Sequence, residues 1–318
     1  MTPLTKRLLL LAPLAFSFAW LAYDAPTAFA REAWFVAELL LFTIATRTVA
    51  WGMALSAVSL GIGIAAPAVV FVGAGLSAVG LDPSDSDVVS WAVVPILEEA
   101  IKLLPIVYLA WQYKRRAKAT FNPSDFLLVG CAVGAGFAMV ENAQLVSHNP
   151  GVLRDMAEQY GPSLLVPGAW GVTGYVGHAA ATGLIAAGYG VGISLRRSGR
   201  AIGPLVLVAP FAYIVMEHML ANLRVSTGSD LALLVGNGRL TPWLFLAMMA
   251  MTIALDWRAA ATTLKRSRML AFRFKIVRGA VLGRLPARVP LQQRVLLAAQ
   301  ELRLLNAVAW LTFDRRRR

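Results

Sequence analysis

Apolar residues run in long blocks along this chain, separated by short polar or charged stretches. The blocks lie at roughly 8–23, 33–47, 52–79, 91–112, 126–147, 167–195, 203–222 and 240–257. A helix rises about 1.5 Å per residue, so about 20 apolar residues cross a hydrocarbon core. The pattern predicts an all-α fold, a polytopic transmembrane bundle of about eight spans. The second block is short. The third is long and glycine-rich, which allows tilt, a kink or a re-entrant part.

Composition supports this reading. Of 318 residues, 58% are hydrophobic and 15% charged, against about 25% charged in a soluble domain. Residues 1–257 read as the membrane domain and 258–318 as a basic cytoplasmic tail. The lone cysteine, Cys131, lies in an apolar run. It excludes an intramolecular disulfide and a multi-cysteine metal site, and reads as a small packing residue.

The net charge of +13 is not a nucleic-acid signature, because the basic residues cluster in particular loops. Twenty-five fall on one side of the predicted membrane, beside Lys6, Arg47, Lys114–Arg116, Arg196–Arg200 and after Arg258. Four fall on the other: Arg31, Arg154, Arg224 and Arg239. That second side carries Asp82, Asp85, Asp87, Asp155 and Glu158. The positive-inside rule places both termini in the cytoplasm. Lys6-Arg7, an apolar run and Ala28-Phe29-Ala30 also resemble a signal peptide with its cleavage site, but the run is long for one and a retained helix is expected.

In the tail, Leu291, Val295, Ala298, Leu302, Leu305 and Ala309 recur at helical spacing among basic residues. A basic amphipathic helix on anionic lipid is expected, with docking to a partner as the alternative. Arg315–Arg318 reads as a solvated end.

Five ionisable residues interrupt the apolar blocks: Glu98, Glu99, Glu141, His178 and His218. A charge near the bilayer interior costs on the order of 3 kcal/mol. With directions taken from the loop charges, and a sixth helix beginning near Trp170, all five fall within about 12 Å of the outer surface. Glu98 and Lys102 share a helix face at i, i+4 and can pair, as can His178 with Thr182 and His218 with Asn222. Such neighbours fix a tautomer or orient a water. A carboxylate in a low-dielectric site acts as general base on water. Two histidines and a glutamate can also hold Zn²⁺ with an open position. Both routes give hydrolysis. No HExxH pair is present, and no Ser-His or Cys-His nucleophile pair is apparent.

These residues carry a family resemblance. Glu98-Glu99-Ala100-Ile101-Lys102 is an EExxK motif, and Gly136-Phe137 with Glu141-Asn142 forms GFxxxEN. Gly177-His178-Ala179 with Thr182-Gly183 and Gly188-Tyr189-Gly190 is similar to a third motif, and His218 with Asn222 is HxxxN. Over about residues 90–222 the chain resembles the PrsW intramembrane proteases, distant relatives of the CAAX-prenyl endopeptidases and abortive-infection membrane proteins.

The resemblance implies peptide-bond hydrolysis in a bacterial inner membrane on the extracytoplasmic side. The substrate would be a membrane-anchored protein, as in site-1 cleavage of an anti-sigma factor. It assigns catalysis to Glu98, Glu99 and His178. Lys102, Glu141, Asn142 and Asn222 would support them. His178, His218 and Glu141 are the candidate ligands of a Zn²⁺ ion, and metal and glutamate-only chemistry both remain open. Family members often carry Tyr where this chain has Leu145, and the tail after 258 lies outside the pattern.

Two other functions use the same residues. A proton- or cation-coupled transporter needs intramembrane carboxylates and histidines, but would spread them through both membrane halves. A non-catalytic scaffold would keep the fold and bind a helix in its groove. Glu38 and Glu217 read as interfacial, snorkelling residues, His148 as a solvated loop residue, and Asp125 as a helix cap or interfacial group.

Overall fold

The computed structural model describes residues 17–23, 26–82, 88–117, 120–148, 163–164 and 177–266, with scattered positions from 268 to 308. No strand occurs among them. Helix α1 spans Pro26–Phe42. Helix α2 runs from Trp51 to Ala78, with a π-turn at Gly61–Ala65. A second π-turn, Val89–Val93, leads into α3, Val94–Ala117. Then come α4 (Pro123–His148), α5 (His178–Arg197), α6 (Gly203–Thr227), a 3₁₀ turn (Asp230–Val235) and α7 (Thr241–Arg266).

Five of these are long and apolar enough to cross a membrane: Trp51–Ala78, Pro123–Leu145, His178–Arg197, Gly203–Thr227 and Thr241–Arg266. Helix α1 has only 17 residues, and the apolar sequence of α3 is interrupted by Glu98, Glu99 and Lys102. The first expected span lies mostly outside the described residues, as do Asp85, Asp87, Arg154, Asp155, Glu158 and Arg315–Arg318. The long third block is one continuous helix whose irregularity is the π-turn. Such turns recur at functional sites.

Helix α4 is the centre of the bundle. Every residue from Phe121 to Met139 is buried, against α1, α2, α5 and α7. Its start is specified locally. Asn122 caps it, with Asn122 Oδ1 accepting from the Asp125 amide at 2.8 Å and Asp125 Oδ2 accepting from the Asn122 amide at 3.1 Å. This is a reciprocal capping box with Pro123 at the first helical position. The same carboxylate accepts from the amides of Thr48 (2.7 Å) and Val49 (3.0 Å) and from the Thr48 hydroxyl. Asp125 is therefore a cap that also ties the α1–α2 connection to the core.

Glycines let the helices around α4 close up, the usual device where lipid cannot drive helices together. A Cβ on Gly134 would strike the His178 carbonyl, and one on Gly136 the Val58 carbonyl. A Cβ on Gly183 would strike Cys131 Sγ, so the buried thiol fills the space opposite a glycine. Outward-facing side chains such as Phe71, Leu104, Val107, Trp243 and Trp257 stay exposed, as lipid-facing residues must.

Two expectations are corrected by burial. Glu38 and Glu217 are each only 2% exposed and do not snorkel. Glu38 accepts from Ser163 Oγ and the Leu164 amide, both at 2.7 Å. Glu217 accepts from the Thr241 hydroxyl and from Tyr213 at 3.3 Å, joining α6 to the start of α7. The His148 side chain lies outside the described residues.

The tail also meets its own chain. Ala298 and Leu305 are buried beside Leu264, and Asn306 donates to the Ala45 carbonyl. Leu291, Val295, Leu302 and Ala309 are outside the described residues.

Candidate active site

Helices α3, α4, α5 and α6 each deliver polar side chains to one point. Glu98, Glu99 and Lys102 come from α3, Glu141 from the far part of α4, His178 from the first residue of α5 and His218 from α6. Glu99 and Lys102 are fully buried, while Glu98, His178 and His218 are nearly so.

The start of α5 differs from expectation. The helix that carries His178 begins at that residue, because Gly177 adopts φ +90° and ψ 152°; Trp170 lies outside the described residues. Residues with a Cβ avoid that region, which explains the glycine before the histidine. Irregular backbone at membrane depth must be enclosed by protein, and Gly177 is buried.

Lys102 organises the cluster. Its Nζ lies 2.7 Å from Glu99 Oε1 and 2.5 Å from His178 Nδ1. Glu98 Oε2 is more distant, at 3.9 Å, so the main partner of Lys102 is Glu99 rather than the Glu98 expected from i, i+4 spacing. The ammonium also sits 4.4 Å from the centre of the Phe137 ring, a favourable cation–π contact.

These partners assign the imidazole tautomers. An ammonium can only donate, so His178 Nδ1 accepts from Lys102. Its proton is then on Nε2, which donates to Glu141 Oε2 at 2.5 Å. His218 Nδ1 lies 3.1 Å from Glu99 Oε1 and donates to it. That leaves His218 Nε2 facing Glu98 Oε2 across 3.9 Å. Glu98 Oε2 itself makes no hydrogen bond.

Neighbouring residues act differently from their sequence spacing. The Thr182 hydroxyl makes no hydrogen bond and does not orient His178. Asn222 Nδ2 donates across to the Ser90 carbonyl at 3.5 Å instead of to His218. The π-register explains this partner. In it Val94 N bonds to Val89 O, so the next amide would serve Ser90 O. That next residue is Pro95, which has no N–H. Asn222 fills the open carbonyl and ties α6 to the entry of α3. Asn142 is half-buried beside Glu141.

Glu32 joins the surroundings of the site from α1, with no motif in the sequence to mark it. It is 2% exposed on α1, its Oε2 makes no hydrogen bond, and it is within electrostatic reach of both His178 and Glu141. The only sequence signal is one acid inside a helix where Arg31 draws the eye.

The donor set fits a divalent metal. One ligand atom each from Glu98, Glu99, His178 and His218 can be chosen so that all lie within 4.8 Å of one another. Ligands of a tetrahedral zinc at about 2.0–2.2 Å are about 3.3 Å apart, so small side-chain shifts close these four on an ion. Glu141 lies outside that group, held on the other nitrogen of His178.

The sequence model described as PrsW family intramembrane metalloprotease matches residues 49–255. No curated protein and no solved structure matches the chain.

Proposed function

The chain belongs to the PrsW family of intramembrane metalloproteases, and from that premise we propose that it cuts a membrane-anchored protein by water attack on a peptide bond near the extracytoplasmic face. The observation that carries the reading is the convergence of four buried side chains, Glu98, Glu99, His178 and His218, from helices α3, α5 and α6. Burial of so many ionisable groups needs a chemical return, because each is expensive at this depth.

The contacts support a role for each residue. Glu98 is the general base. Its Oε2 makes no hydrogen bond, and the 3.9 Å gap to His218 Nε2 suits one water touching both groups. Glu98 takes the water proton as oxygen attacks the scissile carbonyl, then returns it to the leaving amine. Glu99 is fully buried, and its Oε1 already accepts from Lys102 and His218. It orients both. Glu141 fixes the His178 ring in the manner of a carboxylate behind a metal-ligating imidazole. Asn222 holds the α3 entry in place. A Zn²⁺ held by Glu99, His178 and His218, with Glu98 left free as the base, would polarise the carbonyl and acidify the water.

The excess of basic residues on one side favours cytoplasmic termini, an inner-membrane location, and a basic tail against anionic lipid. A site near the opposite face suits a substrate cut in its extracytoplasmic juxtamembrane segment, such as an anti-sigma factor. The test compares new protein N-termini in membranes of cells expressing wild type or Glu98→Gln. Termini just outside a membrane span should disappear in the variant. Identical termini in wild type, Glu98→Gln and His178→Ala membranes, at equal expression, would overturn the reading.

A further inference from the structure

We propose that Lys102 is a built-in cation that competes with a divalent metal for the Glu98, Glu99, His178 and His218 cluster, so that its side chain sets the metal affinity of the site. The inference deepens the peptidase reading and rests on it only for the purpose of the cluster.

The contacts of Lys102 carry the argument. Three of them go to groups of the ligand set: Glu99 Oε1 at 2.7 Å, His178 Nδ1 at 2.5 Å and Glu98 Oε2 at 3.9 Å. An imidazole nitrogen has one lone pair. His178 Nδ1 can accept from the ammonium or bind a metal, but not both. The second ring nitrogen is already engaged by Glu141 at 2.5 Å, so Nδ1 is the nitrogen turned toward Glu99 and Lys102. A metal that takes His178 through Nδ1 must therefore evict Lys102.

Charge leads to the same conclusion. Two cations within about 4 Å in a low-dielectric interior repel strongly. An ion about 2 Å from both Glu99 Oε1 and His178 Nδ1 would crowd an ammonium bonded to the same two atoms. Lys102 is well suited to leave and return, being a compact charge on a flexible four-carbon stem. It is also well held when in place, because it is fully buried and lies over Phe137. Arginine there would remain charged but could not pack as a point charge. The lysine in EExxK thus acts on the metal equilibrium as well as on packing.

The test uses the purified full-length chain in lipid nanodiscs, titrated with Zn²⁺ against a competing chelator. Lys102→Met removes the charge at similar length. It should bind Zn²⁺ more tightly than wild type by on the order of tenfold or more, a change of about 1.4 kcal/mol or more. Lys102→Arg should bind no more tightly than wild type. Adding Glu99→Gln to Lys102→Met should abolish the gain. Co²⁺ gives a second readout, with the visible spectrum of a low-coordinate site appearing at lower Co²⁺ in Lys102→Met. If Lys102→Met elutes aggregated or loses its unfolding transition, Lys102→Gln carries the same expectations. Equal or weaker Zn²⁺ binding by the folded neutral variant would overturn the proposal, as would no binding by any variant. Neither result touches the peptidase reading, which stands or falls on cleavage by wild type and its loss in Glu98→Gln.

Discussion

Gly134→Ala places one methyl group where α4 meets the start of α5, and its effect on the site can be worked out from the backbone. The new Cβ would overlap the His178 carbonyl oxygen, with the carbonyl carbon at 2.7 Å and Ala179 Cα at 2.9 Å. Carbon atoms rest at about 3.5–4.0 Å, so the helices must part by about 1 Å. No rotamer change relieves this, because the obstructing atoms are backbone. Overpacking of this kind costs about 1–3 kcal/mol. The larger effect is on geometry. His178 is held by bonds of 2.5 Å to Lys102 and to Glu141, and a shift of about 1 Å in a reacting constellation can cost about a hundredfold in rate. The assay is cleavage of a substrate identified by its wild-type N-termini, with the unfolding temperature measured on the same samples. Gly134→Ala should lower the turnover rate by about a hundredfold yet remain folded. Turnover within threefold of wild type would refute the claim that Gly134 sets the position of His178.

Two further substitutions separate structural from functional carboxylates. Asp125→Ala strands the amides of Thr48, Val49 and Asn122, and should lower stability by about 3–5 kcal/mol in reversible unfolding; a loss below about 1 kcal/mol would show that Asp125 is not the tie described here. Glu32→Leu removes a buried carboxylate with an unpaired oxygen. It should raise the unfolding temperature, since such burial costs about 1–3 kcal/mol, while lowering turnover. A fall in stability with unchanged turnover would make Glu32 purely structural.

Much of the site was legible along the chain. Glu98, Glu99, Glu141, His178 and His218 are conspicuous because ionisable residues are rare in apolar blocks, and the loop charges imply helix directions that bring all five to one depth. The helical period also places a residue on a face and at a height of its own helix. It says nothing of the distance or rotation between helices. For that reason the pairing of Lys102 with Glu99 was not legible, nor was the tie from Asn222 to Ser90, nor the burial of Glu32 within electrostatic reach of His178 and Glu141. Glu38 and Glu217 were misplaced for the same reason, since an acid near a helix end looks interfacial until a neighbouring element covers it.

The sequence by itself determined an all-helical membrane protein, the helices that carry the chemistry and the residue types available to it. Tertiary packing decided which atoms meet. Glycines at 134, 136 and 183 set how closely the backbones approach, and at those separations hydrogen-bond partners change with about 1 Å of movement. Such fine distances belong to the contact between helices and leave no trace in the periodicity of any one of them.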